Sequence, residues 1–119
     1  MEIDISKLNK IHIIGICSNF GSFVAEYLLS KGIEITGSDM NHESQNAYKW
    51  KNAGILVDPS DDLSYINNSL DLVAIPNAPT PDNLEINRAI QLGIKIVKTN
   101  QLFGEISKNF EVISVSGTA

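Results

Sequence analysis

The sequence has few of the features that mark secreted, membrane-bound or nucleic-acid-binding proteins. Among its 119 residues there is one cysteine, Cys17, so no disulfide can form within the chain. No apolar run approaches the roughly 20 residues that a membrane-spanning helix requires. The opening residues also lack the apolar core of a secretory signal. We therefore expect a cytoplasmic protein that has no membrane partner.

Basic residues are also in deficit. The chain has 9 Lys and Arg against 14 Asp and Glu, which gives a formal net charge of −5. This balance argues against nucleic acid or an anionic membrane as the main partner. It leaves a phosphorylated small molecule open, because backbone N–H groups can bind an anion in an acidic protein. The apolar fraction of 43% is ordinary for a globular protein, and the length of 119 residues predicts a single domain.

Short β-branched runs alternate with amphipathic segments along the chain. We predict strands at 11–16, 33–36, 55–57, 71–75, 94–97 and 112–115, and helices at 20–30, 43–53, 83–92 and 100–108. This alternation predicts an α/β fold, a Rossmann-like open parallel sheet of five to six strands with helices on both faces. Ligands of such sheets bind beyond the carboxyl ends of the strands. The candidate loops are 15–21, 37–41, 75–83, 99–101 and 116–119.

The loop after the first strand is the strongest candidate for binding a phosphate. It reads KIHIIGICSNFGSF over residues 10–23, with Gly15 at the end of the strand and a helix beginning near Phe20. Free N–H groups at a helix N-terminus suit a phosphate, and Gly21 and Ser22 offer such groups. The dinucleotide pattern G-x-G-x-x-G, started at Gly15, puts Cys17 and Phe20 at its second and third glycines, which argues against NAD. A tight turn without a ligand is the alternative.

Polar residues follow two further strands. Asp39 stands where an acid can accept a hydrogen bond from a ribose hydroxyl or a base N–H, although a turn or capping aspartate fits equally. Asn77 and Asn83 can donate to phosphate or sugar oxygens. Alternatively, residues 81–83 merely begin a helix.

The other reactive side chains have simpler interpretations. We interpret Cys17 as a small buried thiol rather than a nucleophile. His12 lies inside the first strand and fits a packed histidine, and His42 fits a surface loop. We find no cluster with metal-ligand spacing and no pairing of a nucleophile with a base.

Four strings of the sequence agree with one family. They are IHIIGIC (11–17), GIEITGSDMN (32–41), PNAPTPDN (76–83) and VISVSGT (112–118). In order and spacing they resemble the N-terminal domain of the Mur ligases, the ATP-dependent amino-acid or peptide ligases of peptidoglycan synthesis. The resemblance covers nearly the whole chain. It is strongest to the UDP-N-acetylmuramate–L-alanine ligases and to the murein peptide ligases of recycling.

The resemblance implies that the chain binds UDP-N-acetylmuramate or a UDP-MurNAc-peptide. It implies that residues of the first loop lie near the diphosphate: Gly15, Cys17, Ser18, Asn19, Phe20, Gly21 and Ser22. It implies that Ser38 and Asp39 lie near the uridine, and that Asn77 and Ala78 border the nucleotide-sugar.

The same resemblance bears on the ATP site. Gly117 and Thr118 match the start of a phosphate loop of the form G-T-x-G-K-T, and the given sequence ends at Ala119. The resemblance therefore implies that ATP and Mg²⁺ act in a full-length parent, with its ATPase and C-terminal domains. We expect no cofactor in this chain and no ligase activity from it alone. The alternatives are an NAD(P)-type dinucleotide-binding domain of an oxidoreductase and a non-catalytic interaction module.

Overall fold

Strands and helices alternate through residues 3–41, 43–57 and 62–117, the part of the chain that the computed structural model describes. The strands are β1 (Lys10–Ile14), β2 (Glu34–Ser38), β3 (Leu72–Ile75) and β4 (Ile96–Lys98). The helices are α1 (Asn19–Ser30), α2 (Gln45–Asn52), α3 (Leu84–Leu92) and α4 (Thr99–Gly117), and a 3₁₀ turn at Ile5–Lys7 precedes β1. Within these ranges no helix is long and apolar enough to cross a membrane.

The four strands form one sheet in the order β2-β1-β3-β4, and every pairing is parallel. The chain leaves β1 toward β2 on one side and later returns to place β3 on the other side of β1. The strand order thus reverses between β1 and β3, which is the switch point where ligands bind in open parallel sheets. The prediction of a Rossmann-like parallel α/β fold is confirmed.

Helices cover both faces of the sheet, and β1 shows why. Ile11 and Ile13 point to one face and His12 and Ile14 to the other, because side chains alternate along a strand. All four residues are buried, since helices cover both sides. The first face carries the larger core, with α1 and α4 packed against it, and the second packs against α3.

The sheet has fewer strands than predicted, four rather than five to six. Residues 55–57 make a single bridge, Gly37 to Leu56, and do not extend into a strand. Residues 112–115, predicted as the last strand, lie within α4. A short apolar run fits a buried helix as well as a strand. No glycine or proline stands between 105 and 116 to end the helix sooner.

Candidate functional site

The turn between β1 and α1 is built around two glycines. Gly15 has a φ of +81°, a conformation that side-chain-bearing residues rarely adopt. Ser18 caps α1: its Oγ accepts from the Gly21 N–H and its hydroxyl donates to the Gly15 carbonyl, both at 2.9 Å. A Cβ on Gly21 would lie 2.4 Å from the Gly15 carbonyl oxygen. Gly21 therefore fills the close-packing role that the dinucleotide pattern assigns to the position of Phe20, one residue later.

The backbone of this turn is tied to the end of β2. The N–H groups of Gly15 and Ile16 both donate to the Ser38 carbonyl, at 2.8 and 3.2 Å. The Cys17 N–H donates to Oδ2 of Asp39 at 2.8 Å. All three N–H groups are hydrogen-bonded within the protein, so they hold the loop in place rather than face a ligand.

The backbone N–H groups that remain available to a ligand lie in the first turn of α1. The N–H groups of Gly21 and Ser22, predicted as anion donors, bond to the side chain and carbonyl of Ser18. The N–H groups of Asn19 and Phe20 have no acceptor among the described residues. Two adjacent donors at the start of α1 therefore remain available to an anion.

Two of the predicted site residues point into the protein. The Ser22 hydroxyl donates to the Ile16 carbonyl at 2.7 Å and accepts from the Trp50 indole N–H at 3.1 Å. Cys17 is buried in the core as a free thiol. Burial raises the pKa of the Cys17 thiol, and the charge of Asp39 raises it further. A thiol with a raised pKa is a weak nucleophile, which agrees with the interpretation of Cys17 as structural.

Asp39 organises the loop that follows β2. Its Oδ2 holds the Cys17 N–H, and its Oδ1 accepts from the Asn41 N–H, both at 2.8 Å. The carboxylate therefore acts as a turn aspartate and also ties two loops together. Each of its oxygens has a second lone pair, so it can still accept a hydrogen bond from a ligand.

Two adjoining hollows lie at the carboxyl ends of the strands, and together we call them the cleft. The Asp39 hollow, of about 240 Å³, is lined by Ile14, Gly15, Ser38, Asp39, Met40, Pro76, Ala78, Thr80, Asn83 and Glu85. The Phe20 hollow, of about 90 Å³, is lined by Ile14, Ser18, Phe20, Pro76, Asn77, Thr99 and Asn100. A larger hollow of about 390 Å³ lies at the amino ends of β1 and β2. That edge is not where parallel sheets bind ligands.

The cleft gathers most of the predicted site residues. Gly15, Ser38, Asp39 and Ala78 line the Asp39 hollow, and Ser18, Phe20 and Asn77 line the Phe20 hollow. Asn19 and Gly21 lie beside the cleft in the first turn of α1, whereas the side chains of Cys17 and Ser22 face inward. Gly117 ends α4, and Thr118 lies outside the described residues, so the phosphate-loop assignment stays a prediction.

A buried polar network that the sequence did not indicate lies at the edge of the cleft. His12 is fully buried and Glu85 is 5% exposed, and Nε2 of His12 lies 2.8 Å from Oε2 of Glu85. The hydroxyls of Ser38 and Tyr65 donate to the same carboxylate, at 2.8 and 2.9 Å. Nδ1 of His12 meets the Thr36 hydroxyl at 2.8 Å. His12 is thus a packed and satisfied histidine, as predicted.

The partner of His12 was missed because charged residues on a helix usually face solvent. The available signal was His12 itself, since a buried imidazole needs polar partners. Burial opposes ionisation of Glu85. The hydrogen bond and charge of His12, with the hydroxyls of Ser38 and Tyr65, outweigh that effect and lower the pKa of Glu85. The carboxylate at the edge of the cleft is therefore ionised at neutral pH.

Within the three described ranges, no group of three or more His, Cys, Asp or Glu side chains is placed to hold a metal ion.

A parallel α/β sheet with a cleft at its switch point, beside a helix N-terminus, places the chain in the class of Rossmann-like α/β domains. The family model described as "Mur ligase family, catalytic domain" matches residues 10–111. This chain belongs to the Mur ligase family.

Individual relatives agree with that assignment. The chain is 37% identical to the UDP-N-acetylmuramate–L-alanine ligase of Alkaliphilus metalliredigens, over 98% of this chain and 25% of the relative. The solved structure of the UDP-N-acetylmuramate–alanine ligase of Thermotoga maritima superposes with a TM-score of 0.71 at 28% identity, over 84% and 23% of the two chains. A murein peptide ligase from Psychrobacter arcticus gives 0.67 at 26% identity, over 82% and 20%. The chain thus spans about a fifth to a quarter of the length of these relatives.

Proposed function

We propose that this chain binds the UDP-N-acetylmuramate part of a peptidoglycan precursor, as the N-terminal substrate domain of an ATP-dependent ligase. The observation that carries the proposal is the cleft at the carboxyl ends of β1, β2 and β3. It combines a hollow whose lining includes Ser38, Asp39 and Asn83 with a helix N-terminus whose first donors have no acceptor within the described residues.

The parts of the cleft suit the parts of that ligand. The N–H groups of Asn19 and Phe20 supply donors for the diphosphate. The Asp39 hollow supplies acceptors for the uridine, and Asn77 and Ala78 border the sugar. Ligation itself is assigned to the rest of a full-length parent, where ATP would activate a substrate carboxylate for attack by an amine. We further propose that the protein acts in the cytoplasm, which agrees with Cys17 being a free thiol.

Isothermal titration calorimetry of this chain tests the proposal. We expect saturable binding of UDP-MurNAc or of UDP-MurNAc-tripeptide, and no heat with NADH. A preference between the two UDP-sugars would separate a biosynthetic from a recycling parent. Binding of NADH alone would support the dinucleotide alternative. Absence of binding to all three at millimolar concentrations would overturn the proposal and favour an interaction module.

Asp39 gives a second test of the same site. Asp39→Ala should weaken UDP-MurNAc binding about tenfold or more, because a charged acceptor for the ligand is lost. It should also lower the free energy of unfolding by about 2 kcal/mol, since the N–H groups of Cys17 and Asn41 lose their acceptor. The chain should remain folded. Calorimetry and urea unfolding measure the two effects.

Asp39→Asn is the matched control, because its amide oxygen can keep one of the two backbone hydrogen bonds. It should recover part of the lost stability and little of the lost affinity. Unchanged affinity in Asp39→Ala would remove the carboxylate from the binding site.

A further inference from the structure

A buried carboxylate lies against the Asp39 hollow. Glu85 lines this hollow although its side chain is only 6% exposed. Much of the remaining lining is apolar, contributed by Ile14, Met40, Pro76 and Ala78. A flat ring that binds between these apolar groups would therefore lie next to one buried anionic acceptor, the Glu85 carboxylate.

One oxygen of that carboxylate keeps acceptor capacity. Oε2 of Glu85 accepts from His12 and Tyr65, at 2.8 and 2.9 Å. The Ser38 hydroxyl lies 2.8 Å from both oxygens and has one proton to share between them. Within the described part of the chain, Oε1 has no other donor. A carboxylate oxygen has two lone pairs, so Oε1 can accept a hydrogen bond from a ligand.

A fixed donor lines the same hollow. Asn83 caps α3, and its Oδ1 accepts from the Ile86 N–H at 3.0 Å. That bond commits the amide oxygen to the helix and leaves the NH₂ group as the donor that this side chain can offer to a ligand. Among residues 3–41, 43–57 and 62–117, no group accepts a hydrogen bond from this NH₂ group. The hollow thus offers an acceptor, Glu85, and a donor, Asn83.

We propose that Glu85 and Asn83 recognise the imide edge of a uracil base, an inference that rests on the proposed function. Glu85 accepts from the base N3–H, and Asn83 donates to the neighbouring O4. Cytosine presents the opposite pattern, with a lone pair at N3 and an amino group at C4. Its N3 would face the carboxylate and its amino group would face the Asn83 donor. The pair therefore selects uridine over cytidine nucleotides.

The first test changes the ligand and leaves the protein intact. Calorimetry compares UDP, N3-methyl-UDP and CDP on the wild-type chain, with UDP-MurNAc as reference. Loss of a hydrogen bond to a charged group should weaken N3-methyl-UDP and CDP about 10- to 100-fold relative to UDP. Equal affinities would overturn the inference while UDP-MurNAc binding upheld the proposed function. UDP-MurNAc binding without any binding of UDP would also overturn it. Failure of UDP-MurNAc itself would overturn both.

The second test reverses the pattern in the protein. Glu85→Gln supplies a donor for cytosine N3, and Asn83→Asp supplies an acceptor for its amino group while keeping a good helix cap. The double variant should lower the ratio of UDP to CDP affinity at least about tenfold. A purely structural role would weaken both nucleotides equally and leave the ratio unchanged, which would contradict the inference.

Tyr65→Phe is the matched control. It removes one donor to Glu85, and Tyr65 is not among the residues that line the hollow. This variant should change stability but keep the wild-type ratio of UDP to CDP affinity. A ratio that changed as much as in the double variant would show that damage to the network, rather than the base-facing groups, sets the selectivity.

Discussion

Replacing His12 with alanine is expected to lower the free energy of unfolding by about 3–5 kcal/mol, because the buried, ionised carboxylate of Glu85 loses its imidazole partner. The imidazole is fully buried and lies 2.8 Å from Oε2 of Glu85. Its removal takes a hydrogen-bond partner away from a carboxylate in the interior, and leaves a cavity beside β1. Urea unfolding at pH 7, followed by circular dichroism, measures the loss. A loss below about 1 kcal/mol would contradict a stabilising contact between His12 and the Glu85 carboxylate.

The stability lost in His12→Ala should depend on pH, and the direction of that dependence follows from the pKa of Glu85. The pKa of Glu85 in the folded chain is lowered below its ordinary value of 4.5. In the wild type its contribution to stability is therefore present above pH 4.5 and is lost as the pH falls through the lower folded pKa. Without His12, burial prevails and raises the Glu85 pKa, so acid favours the folded variant. The stability difference between the two proteins should thus be largest near neutral pH and narrow below pH 4.5.

A second substitution separates charge from packing. Glu85→Gln in the His12→Ala background removes the unpaired charge while keeping the size of the side chain. The double variant should be more stable at pH 7 than His12→Ala alone. Because glutamine does not titrate, residue 85 should no longer make the stability depend on pH in the acid range. Equal stability of the single and double variants would assign the whole loss to the cavity left by the imidazole.

This network connects the stability of the sheet to the shape of the cleft. His12 belongs to β1, Ser38 to β2 and Glu85 to α3, while Tyr65 comes from the segment before β3. Ser38 and Glu85 also line the Asp39 hollow. Glu85 therefore belongs both to the network that fixes the relative positions of these elements and to the lining of the hollow in which we propose that the base binds.

The fold could be predicted from the sequence because its local signals agree with one another. β-branched runs mark the strands, and glycines such as Gly93, with a φ of 72° after α3, mark the helix ends. The signals failed where two structures share one pattern. Three of residues 112–115 are apolar and β-branched, but the segment continues a helix. The sequence predicts that β2 ends at Thr36, because Gly37 and Ser38 are residue types typical of turns, whereas the strand extends to Ser38.

The candidate site was predictable only in part, because sequence patterns fix spacing and not contact. The loops at the carboxyl ends of the strands follow from the fold class, and Asp39 and Asn77 follow from the loops. Glu85 could not be found this way. Its contact with His12 spans 73 positions and depends on how α3 packs against the sheet. The fixed spacing of the dinucleotide pattern likewise places its third glycine, which lets the helix pack closely on the strand, at Phe20. In the structure Gly21 has this role.

Gly21→Ala is the second substitution for which we expect a large effect, a loss of about 3 kcal/mol. The added Cβ would lie 2.4 Å from the Gly15 carbonyl oxygen and 3.0 Å from the Ile16 Cα. Both are backbone atoms, so no rotation of a side chain can relieve the overlap. The start of α1 must move away from β1, which also displaces the N–H groups of Asn19 and Phe20. UDP-MurNAc binding should therefore weaken together with stability, as urea unfolding and calorimetry would measure.

Gly104→Ala is the matched control, because the same atom is added to a helix where it meets nothing. No heavy atom lies within 4 Å of a Cβ built on Gly104, in α4. Alanine should therefore raise the free energy of unfolding by about 0.5–1 kcal/mol, through its lower entropic cost in a helix. Opposite signs for the two substitutions would show that close approach of α1 to β1 requires a glycine at position 21. A stabilising Gly21→Ala would instead mean that the turn relaxes freely, and the donors at the start of α1 would then have no fixed position from which to bind a diphosphate.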